Sequence, residues 1–382
     1  MPRILIIYDH YLPAWKAGGP IRSLEQLIRN LYASFNFSVL CSAYEYDDKE
    51  ILNNIKTDEW ISWENKTSIF YNSKHSSNRK YFIETYEEVD PDIIYINGLF
   101  SYHYNIIPLL AAKNYTKKNP NVKIILSPRG MLHQGALSQK SLKKKLFLNY
   151  MKVTQLHRLI HWHATDEQEA TYIKNQFGDV NISIAGNFPK LSALLPSPPK
   201  QPNSLIIGTL ALISPMKNHL QILKSLKNIS SVITWHIYGP VKDQQYWNEC
   251  LQMINSLPKN IQVVYHGAVE PALVHELFKQ IHLYIQPSKS ENFGHAILEA
   301  LSAGKPVITT NTTPFTNLSE KKAGQTIDIN QLELQLTNAI DRFAKMNAEE
   351  FSVFQNGAVD FANNFVNVEK LKEQYHTMFE TQ

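Results

Sequence analysis

The sequence of 382 residues has only two cysteines, Cys41 and Cys250, and neither lies in a Cys-x-x-Cys or other metal-ligand spacing. This excludes a disulfide framework and favours a reducing compartment. Long apolar runs are also missing. The apolar run Ile4 to Tyr8 is too short for the core of a signal peptide and far too short to span a bilayer. We therefore expect a cytoplasmic protein that is soluble or rests on a membrane surface.

The sequence also lacks a strong excess of charge of one sign. The 38 Lys and Arg residues nearly balance the 34 Asp and Glu residues, which leaves a net charge of +4. This balance argues against a dedicated nucleic-acid binder, so we expect no nucleic-acid partner. The hydrophobic fraction of 43% is typical of a globular protein, and the length favours two domains over one.

Short apolar segments of strand length recur in both halves of the sequence. They are residues 4–8, 38–41, 92–97, 123–127 and 159–165, and then 204–210, 233–239, 261–267, 283–287 and 306–310. Amphipathic stretches of helical length separate several of them, which predicts parallel sheets covered by helices on both faces. The fold class is therefore α/β, with two doubly wound Rossmann-like domains facing across a cleft. The Pro- and Ser-rich residues 190–203 between the two halves predict a linker.

The stretch "PSKSENFGHAILEALSAGKPVITT" at 287–310 carries two acidic residues around a turn. Glu291 falls in the loop after a predicted strand, and Glu299 falls in the second turn of the helix that follows. Free N–H groups at the start of such a helix suit a diphosphate. One carboxylate could accept the hydroxyls of a ribose and the other those of a sugar beyond the phosphates. Alternatively, both are solvated carboxylates favoured by the helix dipole.

This stretch resembles the Glu-x7-Glu motif of retaining glycosyltransferases of the family 4 type (glycosyl transferases group 1), which have the two-Rossmann GT-B fold. The resemblance covers most of the chain. It extends to the segments "AGGPIRSLEQL", "LSPRGMLHQGAL", "ATDEQEATYI", "IAGNFPKL" and "LISPMKNHLQIL". The acidic motif with Phe-Gly and Gly-x-Pro-Val in register is specific, whereas the Gly-Gly segment alone would be weak.

The resemblance implies a role for each matching residue. Glu291 would hold the donor sugar and act in catalysis with Lys217, which would contact the diphosphate. Glu299 would hold the ribose, and Phe293 and Gly294 would belong to the donor-binding loop. Without its surroundings, Lys217 would be interpreted as a surface lysine.

The resemblance also assigns residues in the first half. Gly18 and Gly19 would border the phosphates and the acceptor, where close approach of the backbone is required; by themselves they indicate a turn before a helix. The expected domains are an acceptor-side domain at 1–189, a donor-binding domain at 204–364, and a closing helix at 365–382 that returns to the first domain.

The sequence departs from the family pattern at two places. Leu212 stands where the family usually has an arginine, and Arg129 precedes Gly130 where many relatives have a histidine. Arg129 is therefore a candidate for the missing positive charge on the acceptor or phosphate side. His103 and His133 lie in loops after predicted strands and are candidate acceptor-side groups.

These observations favour a retaining hexosyltransferase that uses a nucleotide-sugar as donor substrate and needs neither a cofactor nor a catalytic metal. The resemblance implies a saccharide or lipid-linked acceptor in bacterial surface polysaccharide or lipopolysaccharide synthesis. The sequence "DPD" from Asp90 to Asp92 imitates a metal-binding motif, but its place before a strand indicates a turn. The alternatives are an inactive nucleotide-sugar-binding homologue, suggested by Leu212, and a nucleotide-sugar epimerase. A dehydrogenase is disfavoured because no Gly-x-Gly-x-x-Gly turn follows the first strand.

A cluster of lysines occupies the segment "SQKSLKKKLFLNYMK" at 138–152. Lys140, Lys143, Lys144 and Lys145 lie alongside the apolar residues Leu142, Leu146 and Met151 in this segment. They form either a solvated helix face or a docking surface for the anionic inner face of a membrane that carries a lipid-linked acceptor.

Overall fold

The computed structural model describes residues 1–74, 78–133, 137 and 141–380. The chain divides into two compact units. Unit 1 comprises Met1–Phe188 and Asn367–Gln382, and unit 2 comprises Pro189–Val366. Each unit is an α/β structure built around one mainly parallel sheet, which confirms the predicted fold class.

Unit 1 contains an eight-stranded sheet in the order β3-β4-β2-β1-β5-β6-β7-β8. Its strands are β1 Arg3–Ile7, β2 Asn36–Ser42, β3 Trp60–Ser62, β4 Ser68–Asn72, β5 Ile93–Asn97, β6 Lys123–Ser127, β7 His161–Ala164 and β8 Ile182–Ile184. The pairing is parallel except between β3 and β4. The helices of this unit are α1 Gly19–Leu31, α2 Arg79–Val89, α3 Ile107–Tyr115, α4 Ser141–Val153, α5 Glu167–Phe177 and, from the end of the chain, α12 Val368–Glu380.

Unit 2 contains a parallel six-stranded sheet in the order β11-β10-β9-β12-β13-β14. Its strands are β9 Ser204–Leu210, β10 Val232–Tyr238, β11 Ile261–Tyr265, β12 Leu283–Gln286, β13 Val307–Thr310 and β14 Gly324–Ile327. Its helices are α6 His219–Leu226, α7 Gln244–Ile254, α8 Val274–Lys279, α9 His295–Ser302, α10 Leu332–Lys345 and α11 Ala348–Phe365.

The apolar segments of the sequence form most strands of both sheets. All five residues of β5 and all four of β12 and β13 are buried, as a parallel sheet covered on two faces requires. The sequence pattern missed β3, β4, β8 and β14. Three of these have only three or four residues, and strands that short leave too few positions for an apolar pattern to be recognised.

Helix α1 follows the predicted amphipathic pattern. Pro20 lies in its first turn, where a missing N–H costs nothing. Its predicted apolar face is buried in unit 1: Ile21, Leu24, Leu27, Ile28 and Leu31.

Residues 190–203, predicted to be a linker, are packed against unit 2. Ser192 N donates to Ser302 Oγ at 2.8 Å, and His282 Nε2 lies 3.1 Å from Pro198 O. The buried Lys305 ammonium lies 2.8 Å from Pro196 O and 2.5 Å from Ser197 Oγ. Polar contacts with carbonyl oxygens thus hold this segment in place, although its composition is typical of a linker.

Burial gives Lys305 a measurable effect on stability. Desolvation lowers the pKa of its ammonium to about 8, against 10.5 for an unperturbed lysine. Because the folded pKa is the lower one, the unfolded chain binds more protons between these values, and stability increases as the pH rises across that window. We expect Lys305 to contribute up to about 3 kcal/mol to this increase, at about 1.4 kcal/mol per pKa unit. Urea unfolding followed by tryptophan fluorescence should show a smaller increase for Lys305→Met; an unchanged pH dependence would contradict the assignment.

Within the part of the chain that the structure describes, no helix is long and apolar enough to cross a membrane.

Candidate active site

The topology of unit 2 places two loops side by side. From β9 the chain runs outward through β10 to β11 and then returns to the other side of β9 as β12. This is a topological switch point, and the crevice outside the carboxyl ends of the strands there is the usual ligand site of an open α/β sheet. The loop after β9 carries Lys217, and the loop after β12 carries Glu291.

Direct hydrogen bonds fasten these two loops together. Asn218 Nδ2 donates to Pro287 O at 2.7 Å, and Lys289 N donates to Met216 O at 2.8 Å. Asn218 has a left-handed backbone, with φ of 59°, which an asparagine tolerates better than most residues. This turn ends the loop and starts α6. The position of Lys217 is therefore fixed relative to the loop after β12.

Lys217 and Glu291 form a partly buried ion pair. The Nζ to Oε1 distance is 2.5 Å, and the two side chains are 18% and 12% exposed. The same carboxylate oxygen accepts from Gln286 Nε2 at 2.5 Å and from Ser288 Oγ at 2.6 Å. Three donors on Oε1 fix the orientation of the carboxylate before any ligand binds.

Behind this carboxylate lies a chain of buried polar groups. The Tyr284 hydroxyl lies 2.5 Å from Gln286 Oε1 and accepts from Leu210 N at 3.2 Å. Burial, with the charges of Glu291 and Glu299 adding to it, raises the pKa of Tyr284 well above its ordinary value. The phenol therefore stays neutral and can donate to Gln286. The sequence analysis did not identify this series of buried polar groups, although a glutamine at the end of an otherwise apolar strand is a signal of it.

Glu299 lies in the second turn of α9 and is only 8% exposed. Helix α9 begins after Gly294 with no side-chain cap on its first amides. Gly294 has φ of +77°, and a Cβ there would lie 2.7 Å from the Phe315 ring, so glycine is required on both grounds. Phe293 packs on Phe365 of α11, with ring centroids 6.3 Å apart. The aromatic ring thus helps to anchor the loop.

The glycine pair of unit 1 lies at the start of α1, as the sequence predicts. Gly18 has φ of +75° and precedes the helix, while Gly19 is its first residue. A Cβ at Gly18 would meet nothing within 4 Å, so the left-handed backbone and not crowding requires glycine there. No side chain caps this helix.

Arg129 is held by neutral side chains of unit 1. Its Nε donates to Asn97 Oδ1 at 2.6 Å, Nη1 to Asn187 Oδ1 at 2.6 Å, and Nη2 to the Tyr95 hydroxyl at 3.0 Å. Three of its N–H groups therefore donate hydrogen bonds within the unit, so Arg129 stabilises unit 1 as well as supplying a positive charge. The sequence did not indicate these partners.

The two candidate histidines lie in separate loops of unit 1. His103 lies in the wide helical turn Tyr102–Ile106 after β5, and its Nδ1 is buried. The His133 ring contacts Tyr172 edge-on, with centroids 5.5 Å apart. The structure thus groups the ten candidate residues by unit. Lys217, Glu291, Phe293, Gly294 and Glu299 lie in unit 2, and Gly18, Gly19, His103, Arg129 and His133 lie in unit 1.

The arrangement in unit 2 can bind a ligand that carries both an anionic group and hydroxyls. A lysine and an uncapped helix start can stabilise an anion, and two nearby carboxylates can accept hydroxyl hydrogen bonds. In the described ranges, no group of three or more His, Cys, Asp and Glu side chains could hold a metal ion.

The residues that match a known protein family lie in unit 2. Residues 193–357 match the sequence model of the family described as glycosyl transferases group 1. The match includes Lys217, Glu291 and Glu299. No curated protein matches the chain by sequence.

Solved structures resemble the chain over its whole length. Sucrose-phosphate synthase from Thermosynechococcus elongatus is 15% identical, with a TM-score of 0.73 over 100% of this chain and 98% of that one. Anabaena HepE, solved in complex with UDP and glucose, is 16% identical, with a TM-score of 0.70 over 100% of both chains. WaaG, a glycosyltransferase involved in lipopolysaccharide biosynthesis, is 13% identical, with a TM-score of 0.63 over 100% of both chains. At these identities the likeness establishes a shared fold, and the family match indicates a glycosyltransferase domain at residues 193–357.

Proposed function

We propose that this glycosyltransferase, whose residues 193–357 belong to the group 1 family and whose fold is GT-B, transfers a hexose from a nucleotide-diphosphate sugar to a saccharide or lipid-linked saccharide. The transfer retains the configuration of the sugar and needs no metal ion. The observation that carries the proposal is the pre-oriented Lys217 and Glu291 pair at the switch point of unit 2.

The donor fits the order of groups in this unit. Glu299 accepts the ribose hydroxyls, the first amides of α9 and Lys217 bind the diphosphate, and Glu291 accepts hydroxyls of the hexose. When the diphosphate enters, Lys217 gains a second anionic partner. Glu291 keeps Gln286 and Ser288 as donors, so its orientation survives that change.

The chemistry follows from stabilising the leaving group. The bond between the sugar C1 and the diphosphate oxygen breaks, and negative charge grows on the phosphate, where Lys217 and the helix amides stabilise it. The acceptor oxygen attacks C1 from the same face as the departing phosphate. The acceptor proton passes to that phosphate oxygen, so no protein nucleophile is needed and configuration is retained.

The likeness in fold to WaaG, a glycosyltransferase involved in lipopolysaccharide biosynthesis, supports a role in assembling a bacterial surface polysaccharide or lipopolysaccharide. The test of transfer is release of nucleoside diphosphate from a panel of nucleotide-sugars mixed with saccharide acceptors, in the presence of EDTA. NMR of the product then reports the anomeric configuration. Turnover in EDTA with a retained anomer is expected; inversion, or a requirement for a divalent ion, would contradict the proposal.

Leu212 supports a second candidate function, a donor-binding homologue without transferase activity, because the family usually has an arginine there. This candidate predicts binding of a nucleotide-sugar without turnover for any acceptor. Leu212→Arg should then tighten donor binding.

Helix α4 carries a surface that suits an anionic membrane. It packs inward through Phe147, Leu148 and Met151. It exposes apolar side chains on another face, with exposed fractions of 71% for Leu142, 62% for Leu146, 43% for Tyr150 and 83% for Val153. The same helix carries three exposed lysines, Lys143, Lys145 and Lys152. The ammonium of Lys144 lies over the Phe100 ring, 5.1 Å from its centroid. Lys140 lies outside the described residues. Apolar and basic groups together favour anionic lipid over a protein partner.

Leu146→Glu is expected to weaken binding to vesicles of phosphatidylglycerol and phosphatidylcholine by about tenfold, because it replaces an inserting side chain by a charge that the lipid repels. Co-sedimentation measures the binding. The matched control is Leu334→Glu, which changes a leucine of unit 2 that is 64% exposed. Equal binding of both variants to these vesicles would contradict membrane docking through α4.

A further inference from the structure

Unit 2 contains a cavity at the edge of its sheet that lies opposite to the candidate active site. Its volume is about 490 Å³, and it is lined by residues from the turn before β14, the end of α10 and the first half of α11. The turn residue Lys322 lies two positions before β14. At the end of α10, Ala344 O and Met346 O accept from Lys200 Nζ at 2.9 and 2.7 Å, and Lys200 lies four positions before β9. The cavity therefore lies near the amino ends of the strands, whereas the loops of the candidate active site follow their carboxyl ends.

Cations are in excess among the charged groups that line this cavity. The charged lining residues are Lys322, Arg342, Lys345 and Glu350, and we call the site the basic cavity. Lys345 Nζ lies 2.6 Å from Asp341 Oδ2, so this cation is paired. Glu350 Oε2 accepts from Asn347 N at 3.0 Å as part of a helix cap. In the described ranges, the side chains of Lys322 and Arg342 make no hydrogen bond or salt bridge, which leaves two cations of the cavity without an acidic partner.

Aromatic rings hold Arg342 in place without using its N–H groups. The guanidinium carbon lies 4.9 Å from the centroid of the Phe343 ring and 5.4 Å from that of the Phe354 ring. Such contacts involve the ring faces and leave the N–H donors available. Burial lowers the pKa of Arg342, as expected for a cation partly removed from water with no anion beside it. A phosphate would supply that anion, because its oxygens match the planar fork of a guanidinium.

The backbone that carries Lys322 is fixed against helix α11. A Cβ at Gly357 would lie 2.3 Å from Lys322 O, so glycine is needed for this helix to lie directly against the turn. Lys322 has φ of 52°, and its amide donates to Ser319 O at 3.2 Å. This wall of the basic cavity is therefore formed by close backbone contact and is in place before a ligand binds.

The remaining lining residues are apolar: Met346, Val353 and Phe354. A cavity with an apolar wall beside unpaired cations fits a ligand that has both an anionic group and an organic part. The helix dipole alone would also favour cations at the end of α10. However, Lys200 already binds two carbonyl oxygens of that end, and Lys322 does not belong to the helix.

We propose that the basic cavity binds a small soluble phosphate ester and is a second ligand site of unit 2, separate from the donor site. Lys322 Nζ and the guanidinium of Arg342 donate to the phosphate oxygens, and Lys345 gains the phosphate as a second anionic partner. The organic part of the ester packs on Phe354 and Val353. This binding requires neither a nucleotide-sugar nor sugar transfer, so it does not depend on the proposed function.

The experiment is saturation-transfer NMR of the full chain with phenyl phosphate at low ionic strength, which preserves the attraction between exposed charges. All measurements use the Lys217→Ala background, which removes the candidate phosphate-binding lysine of the donor site. Phenyl phosphate is expected to bind, and Lys322→Gln is expected to weaken its binding about tenfold through loss of one charge-assisted hydrogen bond. Arg342→Gln should weaken it at least as much. Inorganic phosphate, which has no organic part, should bind more weakly than phenyl phosphate.

The matched control is Lys321→Gln, which removes the same charge from the adjacent exposed lysine, a residue that does not line the basic cavity. Binding of phenyl phosphate should be unchanged in this variant. No binding of phenyl phosphate, or equal binding by Lys322→Gln and Lys321→Gln, would overturn the proposal. Vesicles of phosphatidic acid should bind both variants equally. A selective loss of vesicle binding in Lys322→Gln would assign the cavity to a lipid headgroup and contradict a soluble ligand.

Discussion

Exchange of Glu291 for glutamine is expected to lower sugar transfer by about a hundred- to a thousandfold, the usual effect of removing one preorganised electrostatic group. The amide has nearly the shape of the carboxylate, so the fold should be retained. The charge that pairs with Lys217 at 2.5 Å is lost, and the amide cannot accept donor hydroxyls at both of its polar atoms. The measurement is kcat/KM for transfer, with thermal unfolding as the check on folding.

Lys217→Ala should reduce transfer by a similar factor, because the phosphate then gains charge without its ammonium partner. The two residues touch, so the effects of the single exchanges are not expected to add. The double variant should lose less than the product of the two single losses.

A surface pair of the same unit supplies the control. Lys279 Nζ lies 2.7 Å from Glu276 Oε1, with side chains 40% and 59% exposed. Glu276→Gln and Lys279→Ala change the same kinds of group without touching the switch point, and transfer should stay near the level of the unchanged chain. Near-normal transfer in Glu291→Gln and Lys217→Ala would contradict the assignment of the active site.

The second large effect is expected from Arg129→Met. It removes three hydrogen bonds from a charged donor, to Asn97 Oδ1, Asn187 Oδ1 and the Tyr95 hydroxyl, and a hydrogen bond to a charged group contributes about 1.5–3 kcal/mol. We expect unit 1 to lose about 3 kcal/mol or more of stability, which is a large value for one substitution. The stability of Arg129→Lys should lie between that of the unchanged protein and that of Arg129→Met, since an ammonium cannot reach all three acceptors of the planar guanidinium.

Hydrogen exchange locates this loss in one unit. Amides of β5 and β6 should exchange faster in Arg129→Met, while those of β9 and β10 in unit 2 keep their protection. Arg158→Met, at an exposed position of unit 1, is the control and should leave exchange unchanged. Unchanged protection of β5 and β6 in Arg129→Met would mean that its hydrogen bonds contribute little to stability.

The sequence predicts those parts of this fold that depend on local pattern. The ten apolar segments all correspond to strands of the two sheets, and the face of α1 is buried where its periodicity indicates. The loop and helix that carry Glu291 and Glu299 could be read from the apolar strand before them and from the Phe-Gly turn. Their roles toward a donor remain predictions that rest on the resemblance and on the geometry.

The parts that escaped prediction depend on contacts distant in sequence. Tyr284 and Gln286 read as ordinary strand residues, and only the fold shows that they support the carboxylate of Glu291. In the sequence, Lys305 has the pattern of a surface lysine after a helix. It is buried because the segment 190–203 packs over it and offers carbonyl oxygens to its ammonium. Arg129 was read as a charge for a ligand, and its neutral partners come from three different places in the chain.

The most direct test of the proposed donor site is thermal unfolding of the purified chain with a panel of nucleotides and nucleotide-sugars, repeated with Glu299→Ala. Ligand that binds the folded state raises the apparent stability by an amount set by its concentration and affinity. A donor site at the switch point of unit 2 predicts a rise in Tm with one nucleotide-sugar and loss of that rise in Glu299→Ala. No rise with any nucleotide-sugar, or an equal rise in the variant, would contradict a donor site at the switch point of unit 2.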